Sequence, residues 1–80
     1  MNLGPNAISP QAAAYAMNEL VRPATVTASH PNEGVTSGGK LNANTRTATF
    51  VNLVKGRAVY LALSDRTMEF DSNAKCVAGC

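Results

Sequence analysis

Large apolar side chains are scarce in this sequence, and their number limits what the chain can fold into. Of its 80 residues 36 are hydrophobic, but 13 of these are Ala, and the only aromatic residues are two Phe and two Tyr. A chain of this length buries roughly 60% of its unfolded surface at best. We therefore expect one small domain over residues 1–80, which excludes a multidomain enzyme, a Rossmann domain and a TIM barrel.

The chain has few charged residues, and its net charge is small. Its net charge is +2, and 15% of its residues are charged, against roughly 25% in typical domains. A partner such as nucleic acid or a membrane surface normally requires a concentrated basic face, which this composition does not indicate. A weakly charged surface is typical either of a neutral soluble domain or of a protein that packs against other subunits.

Residues 9–22 have the pattern of an amphipathic helix. Ser9 is a favoured N-cap, Pro10 suits the first helical position, and Pro23 ends the helix. Apolar side chains at helical spacing predict its buried stripe: Ala13, Met17, Leu20 and Val21. A helix this short is marginal alone, so we expect it to dock on the rest of the chain.

The two ends of the sequence read as irregular segments, an extended arm over residues 1–8 and a tail over 72–80. The arm has no basic segment followed by an apolar run, and no 18-residue apolar stretch occurs in the sequence. We therefore expect synthesis in a host cytoplasm, no secretion by a signal peptide and no membrane partner.

The region 23–71 has the pattern of β structure. Residues 24–29 alternate as an edge strand or arm, and the Gly-containing residues 30–40 form the one long loop. Three runs predict an antiparallel meander whose first two strands form a hairpin: 46–54, 57–63 and 67–71. The predicted fold is therefore α+β, with one N-terminal amphipathic helix packed on a three- to four-stranded antiparallel meander. In the last strand, Met68 and Phe70 are expected to face inward.

Cys76 and Cys80 are the only cysteines, and four interpretations of them stay open. They could remain free thiols, bind a metal together with His30, pair within the chain or pair between subunits. A bridge within the chain closes a very small loop and so adds little stability, whereas bridges between subunits would link an assembly covalently. A catalytic role is disfavoured, because no His or helix N-terminus is predicted nearby.

Other residue patterns suggest catalysis only weakly. The segment Gly34–Lys40 matches the start of a phosphate-binding loop, but Leu41 stands where a metal-binding Ser or Thr is needed. Glu69 and Asp71 share one strand face that we expect to be solvated. The set Ser29, His30 and Asp65 lacks a nucleophile elbow. We therefore expect no enzyme activity, no catalytic residue, no small-molecule substrate, no cofactor and no metal.

Basic side chains gather around the predicted hairpin and indicate an interface there. Lys55 and Arg57 flank its turn, Arg46 lies near a strand end, and Tyr60 shares a strand with Arg57. A β-ribbon with basic and aromatic side chains can bind nucleic acid. Because nothing repeats this pairing, nucleic acid is a partner that the sequence allows without indicating it.

The chain resembles small bacteriophage capsid proteins, either coat or decoration (cement) subunits. The resemblance is one of texture, and its segments are the arm Met1 to Ile8, the Thr- and Ala-rich stretch Thr45 to Thr49 with the hairpin Phe50 to Leu63, and the tail Cys76 to Cys80. It implies non-catalytic subunits in a virion, bound to copies of themselves or to a larger capsid protein. The alternative function is a small intracellular binding module, an inhibitor or regulator of a host protein or a β-ribbon nucleic-acid binder.

Overall fold

The computed structural model describes residues 8–29, 41–42, 45–54 and 56–80. These residues form an α+β arrangement of two α-helices, one π-helix and a four-stranded sheet. Most of the predicted arm, residues 1–7, and the whole predicted loop 30–40 lie outside the described residues.

The single amphipathic α-helix predicted over residues 9–22 is not formed. A six-residue α-helix, α1 (Pro10–Tyr15), passes into a six-residue π-helix, π1 (Ala16–Val21). The Oγ of Ser9 accepts a hydrogen bond from the Ala12 amide at 3.1 Å, which caps the start of α1. Met17 still packs against the core, but because the backbone winds more widely in a π-helix, the predicted apolar stripe does not continue past Met17. Its last two members, Leu20 and Val21, are exposed.

The predicted strand 46–54, and with it the hairpin to 57–63, is wrong, because this segment is a helix. Helix α2 (Arg46–Leu53) begins at Thr45, whose Oγ1 accepts a hydrogen bond from the Ala48 amide at 3.2 Å. Its buried positions follow a helical rather than an alternating spacing: Thr47, Ala48, Phe50, Val51 and the adjoining Val54. The β-branched and aromatic content that suggested a strand instead supplies the packed face of this helix.

The sheet is mixed, which corrects the predicted antiparallel meander. Its strands lie in the order β1 (Thr25–Ser29), β2 (Ala58–Ala62), β3 (Thr67–Phe70) and β4 (Cys76–Ala78). Strand β1 runs parallel to β2, whereas β2 with β3 and β3 with β4 are antiparallel. The parallel pair has a physical cause: α2 lies between β1 and β2 in sequence, and a crossover of this length can return the chain in the same direction.

The predicted tail 72–80 contains a strand that the sequence analysis missed. β4 pairs with β3 through Glu69↔Ala78 and Phe70↔Cys76, with a shift of register between the two pairs. The turn before it is held by Asp71, whose Oδ1 accepts hydrogen bonds from the amides of Asn73 at 2.9 Å and Lys75 at 3.1 Å. A three-residue strand with one irregular pairing has too short an alternation to be recognised by period.

The core lies between the helices and one face of the sheet. Two rows of buried side chains cross the first three strands in register: Val26, Val59 and Phe70 in one, Ala28, Leu61 and Met68 in the other. The inward positions predicted for Met68 and Phe70 are confirmed. Phe50 and Val51 of α2 complete the core, and Ala13 and Ala14 of α1 belong to the same cluster. These small side chains suit the close packing of α1 against α2.

Candidate interaction surfaces

Arg57, predicted at the tip of a basic hairpin, instead holds the fold together. Its Nε donates to the Pro23 carbonyl at 2.9 Å, and its Nη1 donates to the Met17 carbonyl at 3.1 Å and to Asn18 Oδ1 at 2.8 Å. Met17 is the second residue of π1 and Pro23 follows the end of π1, so the guanidinium joins this helical segment to the residues that lead into β1. Because its donors bind these three acceptors, Arg57 is a structural residue here.

Arg46 and Tyr60, two other residues of the predicted hairpin interface, lie on different elements of the fold. Arg46, in the first turn of α2, donates from Nη2 to the Ile8 carbonyl at 2.6 Å. Tyr60 is half-buried on β2, beside Thr27 and Glu69 on the sheet face opposite the core rows. Lys55 lies outside the described residues. The described residues therefore form no basic ribbon of the kind predicted.

The two carboxylates predicted to share a strand face have separate surroundings. Glu69 lies half-buried in the middle of the sheet, directly opposite Tyr60 in register. Asp71 follows β3 and uses its carboxylate to bind the amides of the next turn, at Asn73 and Lys75. Such a carboxylate is a turn former, a common structural use of Asp.

The remaining catalytic candidates lie partly outside the described residues. Ser29 ends β1, and Asp65 lies in the turn between β2 and β3, where its Oδ2 pairs with Arg66 Nη1 at 2.9 Å. The third member of that set, His30, and the glycine-rich segment 34–40 lie outside the described residues.

Cys76 and Cys80 form a disulfide within the chain. Of the four interpretations left open by the sequence, free thiols, a metal site and a bridge between subunits are therefore not what this structure contains. Within the described ranges, no group of three or more His, Cys, Asp or Glu side chains could hold a metal ion. The bridge closes the C-terminal segment on itself, with Cys76 in β4 packed partly against the core and Cys80 exposed.

A set of four exposed apolar side chains, not predicted from the sequence, lies on and just before the first helical segment. We call it the helical apolar surface, and its members are Ile8, Tyr15, Leu20 and Val21. Tyr15 is 59% exposed, Leu20 67% and Val21 62%, while Ile8, just before the N-cap, is 52% exposed. Single exposed apolar side chains are normal in soluble proteins, but several on one short segment indicate an interaction site.

Hydrogen bonds hold the end of this surface in place. The Asn18 side chain donates from Nδ2 to the Leu53 carbonyl at 2.9 Å and accepts from Arg57, which joins π1 to the end of α2 and the start of β2. Arg22 ends π1 in a left-handed conformation with φ 53°, and its amide donates to the Met17 carbonyl at 3.0 Å. Leu20 and Val21 are therefore presented on an anchored backbone.

The sequence carried no signal for this surface. Leu20 and Val21 stand at the spacing that places a side chain on the same helical face as Ala13 and Met17, and so they were assigned to the core. Only the change from α-helical to π-helical winding turns them outward, and such changes have no residue pattern of their own.

No described helix is long and apolar enough to cross a membrane. No protein-family model, no curated protein and no solved structure matches the chain.

Proposed function

We propose that this protein is a non-enzymatic assembly subunit that binds copies of itself, a larger shell protein, or both. The observation that carries the proposal is the helical apolar surface. If its four side chains became buried at a contact, they would contribute roughly 5 kcal/mol, scaling the usual gain per buried side chain to the exposed fraction. That is comparable with the total stability of about 4–12 kcal/mol expected for 80 residues.

The weak charge of the chain supports the same proposal. Its net charge is +2 with 15% of residues charged, so copies repel one another little. Association through apolar side chains is then opposed mainly by the entropy lost on binding.

The setting that we propose for this subunit is a bacteriophage virion, as a coat or decoration protein made in the host cytoplasm. The textural resemblance to small capsid proteins supports this setting. The disulfide adds to it, because intrachain disulfides persist in oxidising surroundings and are rare in the cytosol. A particle that assembles in the cytosol and then leaves the cell passes from reducing to oxidising surroundings.

Sedimentation velocity of the oxidised protein over a range of concentrations tests the assembly proposal. We expect wild type to form oligomers, and the double variant Leu20→Gln, Val21→Gln to need at least about tenfold more protein, since 1.4 kcal/mol corresponds to a factor of ten. Both side chains are exposed, so the variant should fold. Val77→Gln is the matched control, because Val77 is 53% exposed but lies on β4.

Wild type that sediments as a monomer at every concentration contradicts self-assembly. The alternative, an intracellular binding module for a host protein, would then explain the same exposed surface better. The nucleic-acid form of that alternative lacks its expected basis, because residues 46–53 form α2 and not one strand of a ribbon.

A further inference from the structure

The outer edge of β3 is covered by a small and unusual segment. β4 has three residues, and its central side chain, Val77, is 53% exposed. Cys76 is the one residue of β4 that packs against the core. Apolar burial therefore contributes little to holding β4, and backbone pairing with β3 must contribute most of it.

The residues after β4 fit β3 with high selectivity. Arg66 Nε donates to the Gly79 carbonyl at 2.8 Å. Gly79 has φ 73°, and a Cβ at this position would collide with the carbonyl oxygen of Thr67. The edge of β3 thus binds one particular segment, Cys76–Gly79. Only glycine fits at the last residue of this segment.

The disulfide joins the first residue of that segment to Cys80, the residue that follows the segment. It joins Cys76 to Cys80, a sequence separation of four, and so restricts the backbone around Gly79. It does not link β4 to β3. Its effect is to limit the conformations open to the segment when it is away from β3, which favours the docked state.

The turn before β4, which acts as its hinge, has a backbone conformation that favours release of β4 from β3. Ala74 has φ 62°, a left-handed conformation that is sterically costly for a residue with a Cβ. The hydrogen bonds of Asp71 impose it, since the Ala74 amide donates to the Asp71 carbonyl at 2.9 Å. Strained short hinges are a recognised route to the exchange of identical elements between copies.

We propose that the Cys76–Cys80 disulfide is a reducible clasp on β4, and that the β3 edge uncovered on reduction binds the Cys76–Gly79 segment of a second copy. The occupant is defined by the structure itself, because this segment already pairs with the β3 edge within the chain. This site is separate from the helical apolar surface, so the experiments can contradict one of the two proposals and leave the other standing.

The chemistry of the clasp is an ordinary thiol–disulfide exchange. A thiolate of a dithiol attacks the exposed Sγ of Cys80, forming a mixed disulfide and releasing the Cys76 sulfur as a thiolate. The second thiol of the reagent then displaces Cys80. The dithiol ends as a disulfide, and the protein gains two electrons and two protons as two free thiols.

Hydrogen exchange followed by mass spectrometry tests the clasp on the full chain, oxidised and then treated with excess dithiothreitol. For a closed loop of this size the loop-entropy relation predicts that the open state of residues 76–79 becomes about thirtyfold more populated on reduction. The amides of this segment should exchange faster by that factor. Equal exchange in the oxidised and reduced protein would overturn the clasp.

Solution mass over a range of concentrations tests the second copy. All samples carry Leu20→Gln and Val21→Gln, which remove association through the helical apolar surface. In this background the oxidised protein should be a monomer. The reduced protein should form a dimer, and so should the variant Cys76→Ser, Cys80→Ser. Adding Gly79→Ala should abolish that dimer, because the same collision with Thr67 arises between copies. Gly56→Ala is the matched control, which should leave the dimer intact, because Gly56 also has a positive φ of 70° but lies outside the segment, and a Cβ there meets nothing within 4 Å.

Two results would overturn the exchange of segments. One is a reduced protein that remains monomeric at every concentration although its C-terminal segment exchanges faster. The other is a dimer that persists with Gly79→Ala, which would place the contact elsewhere. If the serine variant does not fold, the reduced protein with both cysteines present is used for both measurements.

Discussion

Arg57 connects three parts of the chain through one guanidinium group. Its acceptors belong to Met17, Asn18 and Pro23, which close the end of π1 and lead into β1. A planar fork with several donors suits such a site, whereas an ammonium group cannot reach all three acceptors. The residue that the sequence placed in an interface therefore supports the backbone that presents Leu20 and Val21.

Replacing Arg57 should weaken the fold measurably. We expect Arg57→Gln to lower the free energy of unfolding by about 2 kcal/mol, because partly buried carbonyls lose charged donors. Arg57→Lys should recover only part of this loss. Urea denaturation measures the change, with Lys75→Gln as the control because that side chain is exposed. Equal midpoints for Arg57→Gln and wild type would contradict this role.

Helix α2 begins at a side-chain cap on Thr45. Thr45 accepts a hydrogen bond from the Ala48 amide and donates from its hydroxyl to the Asn42 carbonyl at 2.8 Å. The helix has only eight residues, four of them Thr, Phe or Val with poor helix propensity. Packing of its buried face and this cap must therefore offset an unfavourable intrinsic preference.

Removal of the cap gives a prediction for α2. Thr45→Ala should lower the free energy of unfolding by about 1 kcal/mol, the usual cost of losing a hydroxyl N-cap. Thr45→Ser keeps the acceptor oxygen and should stay close to wild type. Urea denaturation of the three proteins provides the comparison, and a Ser variant as unstable as the Ala variant would show that the methyl group matters instead of the cap.

The molecule as a whole depends on a core with few large side chains. Phe50, Phe70, Leu61 and Met68 are its largest fully buried members, and they come from α2, β2 and β3. Phe50 is the helix residue among them, so it fills the space between α2 and the sheet. In a small domain each such side chain contributes a large part of the total stability.

Truncation of Phe50 should bring the protein close to unfolding. Phe50→Ala is expected to cost about 3–5 kcal/mol, against a total of about 4–12 kcal/mol for a chain of this length. Leu53→Ala, in the same helix but with an exposed side chain, should cost far less. Thermal unfolding followed by circular dichroism measures both variants. Similar midpoints for Phe50→Ala and Leu53→Ala would contradict the central place of Phe50.

Local pattern was enough for some of the elements. The start of α1 at Ser9 and Pro10 follows from capping, and the inward side chains of β3 follow from alternation. The sequence predicts an interface at Arg46, Lys55, Arg57 and Tyr60, whereas we propose one at the helical apolar surface, which contains none of these residues. Leu20 and Val21 of that surface have the spacing of core residues, and Arg46 and Arg57 bind backbone carbonyls within the fold.

The sequence by itself determined the small size of the core, the α+β class and the face of β3 that turns inward, because these depend on composition and on periods of a few residues. Tertiary structure alone decided that 46–53 is a helix, that β1 runs parallel to β2, that π1 exposes Leu20 and Val21, and that the C-terminal segment forms β4. The physical reason is that strand pairing and the burial of Phe50 and Val51 in the core join residues that are far apart in sequence. Such contacts override the intrinsic propensity that a local pattern reports.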